Sequence, residues 1–364
     1  DDFQLVAGGR LREAETEELF TTAPYPTRNF RNNLADLKAQ IAANEKGVQE
    51  LRKMVAHFGL DVVHAYMKHV QDNAEESVRR VLGVLKDGSF TYEMDSGATI
   101  SVSIKVDREA REAVIDFSGT AAQQNSNFNA PSAVCMAAVL YVFRLMVDDD
   151  IPLNNGCLEP LKVIIPEASM LSPKYPAAVV AGNVETSQAI TDTLLGALGL
   201  MAASQGTMNN FTFGNDAEYQ NYETICGGSG AGPGFDGTNA VHTHMTNTRA
   251  TDPEILEWRF PVVLESFSIR HGSGGAGRWR GGDGIIRRVR FLEPMTAAIV
   301  SGHRRVPPYG MAGGEPGMVG RNYVERADGS VDELAGTDTV EMNAGDAFVL
   351  ETPGGGGYGP PSPA

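Results

Sequence analysis

With 364 residues, 42% of them apolar and 21% charged, the chain can form one large domain or two ordinary ones and is too hydrophobic for general disorder. A net charge of −16 excludes a nucleic-acid groove, which needs clustered Lys and Arg. No apolar run reaches membrane-spanning length; the nearest, 133–147, is short and broken by Arg144. There is no secretory leader and the first residue is Asp1, so we expect a cytoplasmic chain that begins inside a longer protein. Cys135, Cys157 and Cys226 are odd in number and lack metal-site spacing; Cys135 lies in an apolar run and reads as core.

Apolar residues at 34, 37, 41, 48, 51, 55 and 58 mark one face of a helix that Gly59 ends. A second helical pattern runs from Val62 to Leu85, and the two are expected to form an antiparallel pair. His57, His64 and His69 on these helices read as solvent-facing or core residues rather than ligands. Ile100–Val106 and Val114–Phe117 alternate as a β-hairpin. Pro131 opens an apolar helix to about Val147, Leu161–Ile165 is a short strand, and Thr186 or Ser187 caps a helix to about Ala203. Six strands follow Pro261, at 262–269, 285–292, 297–301, 321–326, 337–342 and 347–351, a spacing that suits an antiparallel sandwich or barrel. Arg287, Arg288 and Arg290 read as a solvated strand face. The Gly/Pro-rich tail, 353–364, shows no core-forming pattern. The fold class is α+β, with a long helical pair and mixed α/β part at 1–260, a β-rich part at 261–352 and the tail.

The densest polar stretch is 242–254, flanked by glycine runs at 227–234, 272–277 and 281–284. On a strand, His242 and His244 would point to one face, which suits a metal or an anionic substrate; the alternative is a pair satisfied by neighbouring backbone. Asn247 and Arg249 follow. A guanidinium there fits a carboxylate or phosphate, or an ion pair with a nearby acid. Asp252 before Pro253 reads as a helix N-cap. Glycines such as Gly230 and Gly232 let backbone approach a ligand closely, but no strand–glycine–helix fingerprint or phosphate-binding loop with a lysine is present. Three Asn-centred patches, Asn127 with Asn129, Asn183 with Thr186 and Ser187, and Asn209 with Asn210, could supply oriented donors to one cleft. No nucleophile elbow or Cys–His pairing occurs.

These residues together resemble the hydantoinase B/oxoprolinase family. The matching pieces run in order along the chain: Ile115-Asp-Phe-Ser-Gly-Thr120, Asn127-Phe-Asn-Ala-Pro131, Asp150-Ile-Pro-Leu-Asn-Asn-Gly-Cys157 and Gly182-Asn-Val-Glu-Thr-Ser187. They continue through Ser204-Gln-Gly-Thr-Met-Asn-Asn210, His244-Met-Thr-Asn-Thr248, Gly272-Ser-Gly-Gly-Ala-Gly277, Arg280-Gly-Gly-Asp-Gly284 and Thr352-Pro-Gly-Gly-Gly-Gly-Tyr-Gly359. Within the family, 242–254 most resembles the ATP-dependent 5-oxoprolinases.

The resemblance implies hydrolysis of a cyclic amide, with ATP bound by a hydantoinase A-type domain or subunit that activates the ring oxygen. It also implies a homo- or hetero-oligomer, and any divalent metal would take its ligands upstream of residue 1, none in this chain. On that reading His242, His244, Asn247 and Arg249 are the catalytic candidates, with His244 as proton shuttle and Arg249 facing the phosphoryl group. Asn127, Asn129, Asn183, Thr186, Ser187, Asn210, Gly230 and Gly232 are the substrate-binding candidates. The alternatives are the B subunit of an N-methylhydantoinase or another lactamase, a more distant relative of acetone carboxylase, or a non-catalytic lobe whose glycine-rich surfaces dock the ATP-binding partner.

Overall fold

The structure, a computed structural model, describes residues 3–23, 26, 27, 29–216 and 218–361. It divides into two compact units, residues 1–70 and 71–364. In the first, strands β1 (Val6–Ala7) and β2 (Arg10–Leu11) pair antiparallel ahead of α1 (Glu13–Thr21). Helix α2 (Phe30–Phe58) starts at Asn29, whose side chain accepts from the Asn32 amide, and ends at Gly59, in the positive-φ region at 85°. Helix α3 (Leu60–Leu82) begins at the next residue and carries the chain into the second unit.

Both long helices form where the periodicity places them, but they do not pack side by side. Val48, Leu51, Met54 and Phe58 on α2 are exposed, as are Leu60, Val62, Tyr66, Met67 and Val70 on α3. A helical hairpin needs a loop of about two to five residues to reverse the chain, and a single glycine is too short. His57, His64 and His69 are all exposed on these helices.

In the second unit, β3 (Gly88–Glu93), β4 (Thr99–Asp107) and β5 (Glu112–Asp116) form an antiparallel meander, and β6 (Leu161–Ile164) joins β5 in parallel. The alternation along β4 turns Ile100, Val102 and Ile104 inward. Against them pack α4 (Ser132–Leu145) and α5 (Ser187–Leu198), through Val139, Phe143, Ile190 and Leu194. Helix α5 stops short of Ala203 because Gly199 takes a left-handed conformation, φ 67°.

Nine further strands build two antiparallel sheets. One has the order β13 (Val331–Leu334), β12 (Arg321–Glu325), β15 (Ala347–Glu351), β10 (Ile285–Phe291), β9 (Val262–Ile269); the other is β14 (Thr337–Met342), β11 (Met295–Val300), β7 (Asn210–Gly214), β8 (Gln220–Glu223). They face each other as a sandwich across aromatic contacts, Phe211 tilted against Phe348 at 4.6 Å and Phe213 edge to face with Phe291 at 5.4 Å. Strands β7 and β8 precede residue 261, so strand pairing crosses the division drawn there from the sequence. Helix α6 (Pro253–Arg259) is capped by Asp252, which accepts from the amides of Glu254 and Ile255.

The basic run on β10 is not a uniform solvated face. Arg288 and Arg290 point outward and pair with Glu265, while Arg287 alternates inward, 2% exposed, and meets buried Glu223 at 2.8 Å. A strand sends neighbouring residues to opposite faces, so three nearby arginines cannot share one environment.

The larger correction concerns glycine. Residues 353–357 are buried, and the glycine runs interleave backbone against backbone. Gly228 donates to Pro353, Gly282 to Ser229, Gly355 to Gly282, and Gly356 to Ala203. A Cβ on Gly355 would lie 1.9 Å from the Ser229 carbonyl oxygen, and one on Gly228 1.9 Å from that of Gly282. Close approach requires glycine here, but the approaching group is another stretch of this chain. Gly355→Ala should therefore lower stability by about 3 kcal/mol or abolish folding. By contrast Gly47→Ala, in open space on α2, should raise stability by about 0.5–1 kcal/mol. Thermal unfolding of both variants checks the pair.

Candidate active site

A turn of π-helix (Gly182–Thr186) leads directly into α5. It forms because Gly182 sits on residues 129 and 130, where a Cβ would be 2.5 Å from the Asn129 carbonyl oxygen. The amides of Glu185 and Thr186 both donate to the Ala181 carbonyl, so the hydroxyls expected to cap the helix are released from that task. Thr186 donates instead to Phe128 O, and Ser187 to Asn183 O at 2.7 Å.

Although α5 sits in the core, it carries polar residues that are fully buried. Gln188 and Asp192, four apart, lie on one face. Gln188 Nε2 donates to the Thr243 carbonyl at 2.8 Å. Asp192 Oδ1 accepts from the Ser204 amide at 3.3 Å and lies 3.4 Å from His244 Nε2. That last approach is close enough for ionic contact but is not aligned as a hydrogen bond. His244 Nδ1 is 3.4 Å from the Tyr141 hydroxyl, with the rings tilted edge to face. Burial and the Asp192 charge both raise the Tyr141 phenol above its usual range, keeping it protonated. His244 is itself held at φ 52°, a strained setting for a residue with a side chain.

Six buried polar atoms in these segments have no partner among the described residues: Gln188 Oε1, Asp192 Oδ2, Gln205 Nε2, His242 Nδ1, Thr243 Oγ1 and His244 Nε2. Buried polar atoms are normally satisfied, so this group of orphans on neighbouring segments makes them the candidate for binding a polar guest. Chemically, Asp192 lies where it can orient the His244 ring, and the Tyr141 hydroxyl stands at the other ring nitrogen. Geometry of this length commonly tightens when substrate binds.

Of the residues singled out from sequence, His244 reaches this site and His242 lies beside it. Neither lies on a strand, so the shared face expected of them does not exist; an isolated bridge at Val241 is the only ladder contact, after which the backbone turns. Burial pushes the His242 imidazole down, favouring the neutral form. Asn247 and Arg249 are exposed, and Arg249 forms no ion pair with a described residue.

The other candidates hold structure. Asn129 is buried and ties its own loop through the carbonyls of Gln124, Ser126 and Ala178. Asn127 contributes a backbone carbonyl to Ala181, and the Asn183 side chain is exposed. Asn210 donates to Glu185 Oε1 and Val300 O, and Asn209 accepts from Arg304. Gly230 and Gly232 press on the Ala202 carbonyl and the Phe235 ring, leaving no cradle for a phosphate. Sequence reasoning missed Gln188, Asp192, Tyr141 and Gln205. The signal for two of them was polar residues four apart inside an apolar helix.

Among the described residues no three His, Cys, Asp or Glu side chains converge as metal ligands. All three thiols are free and buried, and burial pushes Cys135 up to about 12, which removes it as a nucleophile at neutral pH.

The chain belongs to the hydantoinase B/oxoprolinase family, whose model matches residues 1–361. It is 44% identical over 365 residues to the 5-oxoprolinase of Dictyostelium discoideum, covering 98% of this chain and 28% of that protein. It is 46% identical over 381 residues to 5-oxoprolinase 1 of Arabidopsis thaliana, covering 98% of this chain and 30% of that protein. The chain thus spans under a third of these relatives and matches a part of a longer architecture. The crystal structure of the ATP-dependent caprolactamase from Pseudomonas jessenii shares the fold, with a TM-score of 0.81 over 98% of this chain and 65% of that one, at 23% identity.

His242 sets a pH dependence. With its pKa depressed in the fold, its contribution to stability is present above the usual 6.5 and is lost as pH falls through the lowered value. Chemical denaturation at about pH 7.5 and about pH 5.5 should show a smaller stability loss in His242→Gln than in the unsubstituted protein.

Proposed function

We propose that this chain is the C-terminal part of an ATP-dependent 5-oxoprolinase, converting 5-oxo-L-proline to L-glutamate. The observation that carries the proposal is the 3.4 Å approach of His244 to buried Asp192 inside a group of unpartnered polar atoms. The names of the relatives above support the substrate, and three free thiols suit a cytoplasmic enzyme. In the net reaction water adds to the ring carbonyl carbon, the ring C–N bond breaks, and a carboxylate and an amine result. His244 takes the proton that water loses and returns one to the departing ring nitrogen. Asp192 stabilises the imidazolium in between, and Tyr141 holds the ring in place.

The glycine runs are filled by backbone and do not fit ATP. Activation by ATP therefore belongs to an A-type region or partner subunit, and no step by these residues runs through it. A hydantoin or another lactam ring would use the same proton transfers.

A second reading assigns assembly to residues 30–70, favoured by the exposed apolar rows of α2 and α3. The glycine segments are largely buried, with Pro233, Gly234, Gly272 and Ala276 exposed, and offer less apolar surface for docking than α2 and α3.

In the full-length enzyme, Asp192→Asn and His244→Gln should each lower kcat for ATP-dependent glutamate formation by at least ~10²-fold, with KM changed far less. Glutamate formation, read beside ring opening of N-methylhydantoin, measures both activity and ring preference. Unchanged kcat in both variants would contradict the assigned roles.

A further inference from the structure

A cavity of about 470 Å³ lies on another side of the segment that carries Glu185, lined chiefly by Tyr92, Met94, Phe128, Glu185, His303 and Leu334. Its interior is mostly apolar, with one polar group left over. Glu185 is 2% exposed, and its Oε1 accepts three hydrogen bonds: from Thr207 Oγ1 at 2.9 Å, the Met208 amide at 3.0 Å and Asn210 Nδ2 at 2.7 Å. Oε2 has no partner among the described residues and faces Gly302, which also lines the cavity.

The other buried polar groups of the wall are occupied, while Ser96 and Thr337, which also line it, are exposed. His303 Nδ1 lies 2.5 Å from the Val306 carbonyl, which can only accept, so the ring proton sits on Nδ1. His303 Nε2 is then the acceptor for the Tyr92 hydroxyl at 2.6 Å. Asp95 receives the amides of Arg304, Arg305 and Val306. Arg304 is buried with its guanidinium spent on Asn209, Gly302 O and Asn322, and no carboxylate touches it. Burial pushes the Glu185 carboxyl up to about 8, so it is un-ionised at neutral pH. Because Oε1 is committed as an acceptor, the proton is on Oε2. The buried part of the cavity thus offers one hydrogen-bond donor on an apolar wall, with a buried cation behind it.

We propose that this cavity is a binding site for a small uncharged amide, cyclic or acyclic, whose carbonyl oxygen accepts a hydrogen bond from Glu185 Oε2. An amide oxygen is a strong acceptor without the desolvation cost of a carboxylate, and it matches a donor that carries no charge of its own. The site is separate from the Asp192–His244 pair. Only the expectation that cyclic amides bind better than acyclic ones rests on the functional reading above.

The test is binding without ATP, so that turnover plays no part. Ligand-detected NMR on the full-length enzyme would use 2-pyrrolidinone and N-methylacetamide as probes. The unsubstituted protein should bind 2-pyrrolidinone with roughly millimolar affinity. Binding should fade as pH rises through about 8, where Glu185 ionises among Arg304, Asp95, His303 and Tyr92. Glu185→Gln presents an oxygen to the same three donors and an N–H to the cavity, so it should bind equally well and keep binding above that pH. Glu185→Leu should weaken binding by at least ~10-fold. If that variant does not fold, Ala335→Trp blocks the exposed side of the lining without touching Glu185 and should abolish binding. Absence of binding by either probe, or affinity unchanged by the Leu or Trp substitution, would overturn the proposal. Equal affinity for the two probes would support the amide site and overturn only the preference for cyclic amides.

Discussion

The interleaving of glycine backbone at 227–232, 272–284 and 353–357 is the constraint on which the rest of residues 71–364 depends. Where a Cβ would stand 1.9–2.0 Å from a carbonyl oxygen, as at Gly228, Gly281 and Gly355, no side chain is tolerated. The layers so formed fix residues 202–206 from both sides: Ala202 donates to Ala231, Gln205 to Gly228, and Ala203 accepts from Gly356. That run then supplies the Ser204 amide to Asp192, Gln205 to Asn209, and Thr207 to Glu185. Two polar sites on neighbouring turns of one helical segment are therefore held by a scaffold whose strength is steric, not hydrophobic.

Within that scaffold four buried ionisable groups find three solutions to desolvation. Arg287 and Glu223 pair directly, which is costly to form and more costly to break. Arg304 keeps its charge, with a pKa lowered only to about 10, by spending its donors on neutral oxygens. Glu185 gives up its charge, because three donors on one oxygen do not offset full burial. Asp192 shares an unpartnered carboxylate oxygen with Glu223 and differs in the residue beside it. Its Oδ2 is unsatisfied and its neighbour His244 is held in a strained backbone setting that costs on the order of 1–3 kcal/mol. Strain combined with an orphaned carboxylate oxygen has no structural return, which is why the functional reading rests there.

The fold was largely legible in the sequence because it is carried by local periodicity. Period two marked β4, β5, β9 and β10, and period 3.6 marked α2, α3 and α4. Strands β3, β7, β8 and β13 escaped because they are short or flanked by turn residues with no clean alternation. The site was much less legible. Glycine runs announce close approach but not by what, and their partners lie far away in sequence, as Gly228 and Gly355 show. Polar density drew attention to 242–254, where Arg249 and Asn247 prove to be exposed, while Asp192 and Gln188 were hidden in an apolar helix. The family motifs at 182–187 and 204–210 were read as donors to a cleft, and that at 352–359 as a tail without a core-forming pattern. In the structure they form the π-turn, the connecting run and the glycine layers that position the site.

Native-state hydrogen exchange on the amides of Ala202 and Gln205 tests the central claim most directly, since they are bonded to Ala231 and Gly228 in the glycine layers. If those layers hold the polar sites ready-formed, these amides should exchange only through global unfolding, with the same free energy as amides in the centre of β10. Exchange through a low-energy local opening, while β10 stays protected, would contradict the account and make residues 202–206 a mobile connection.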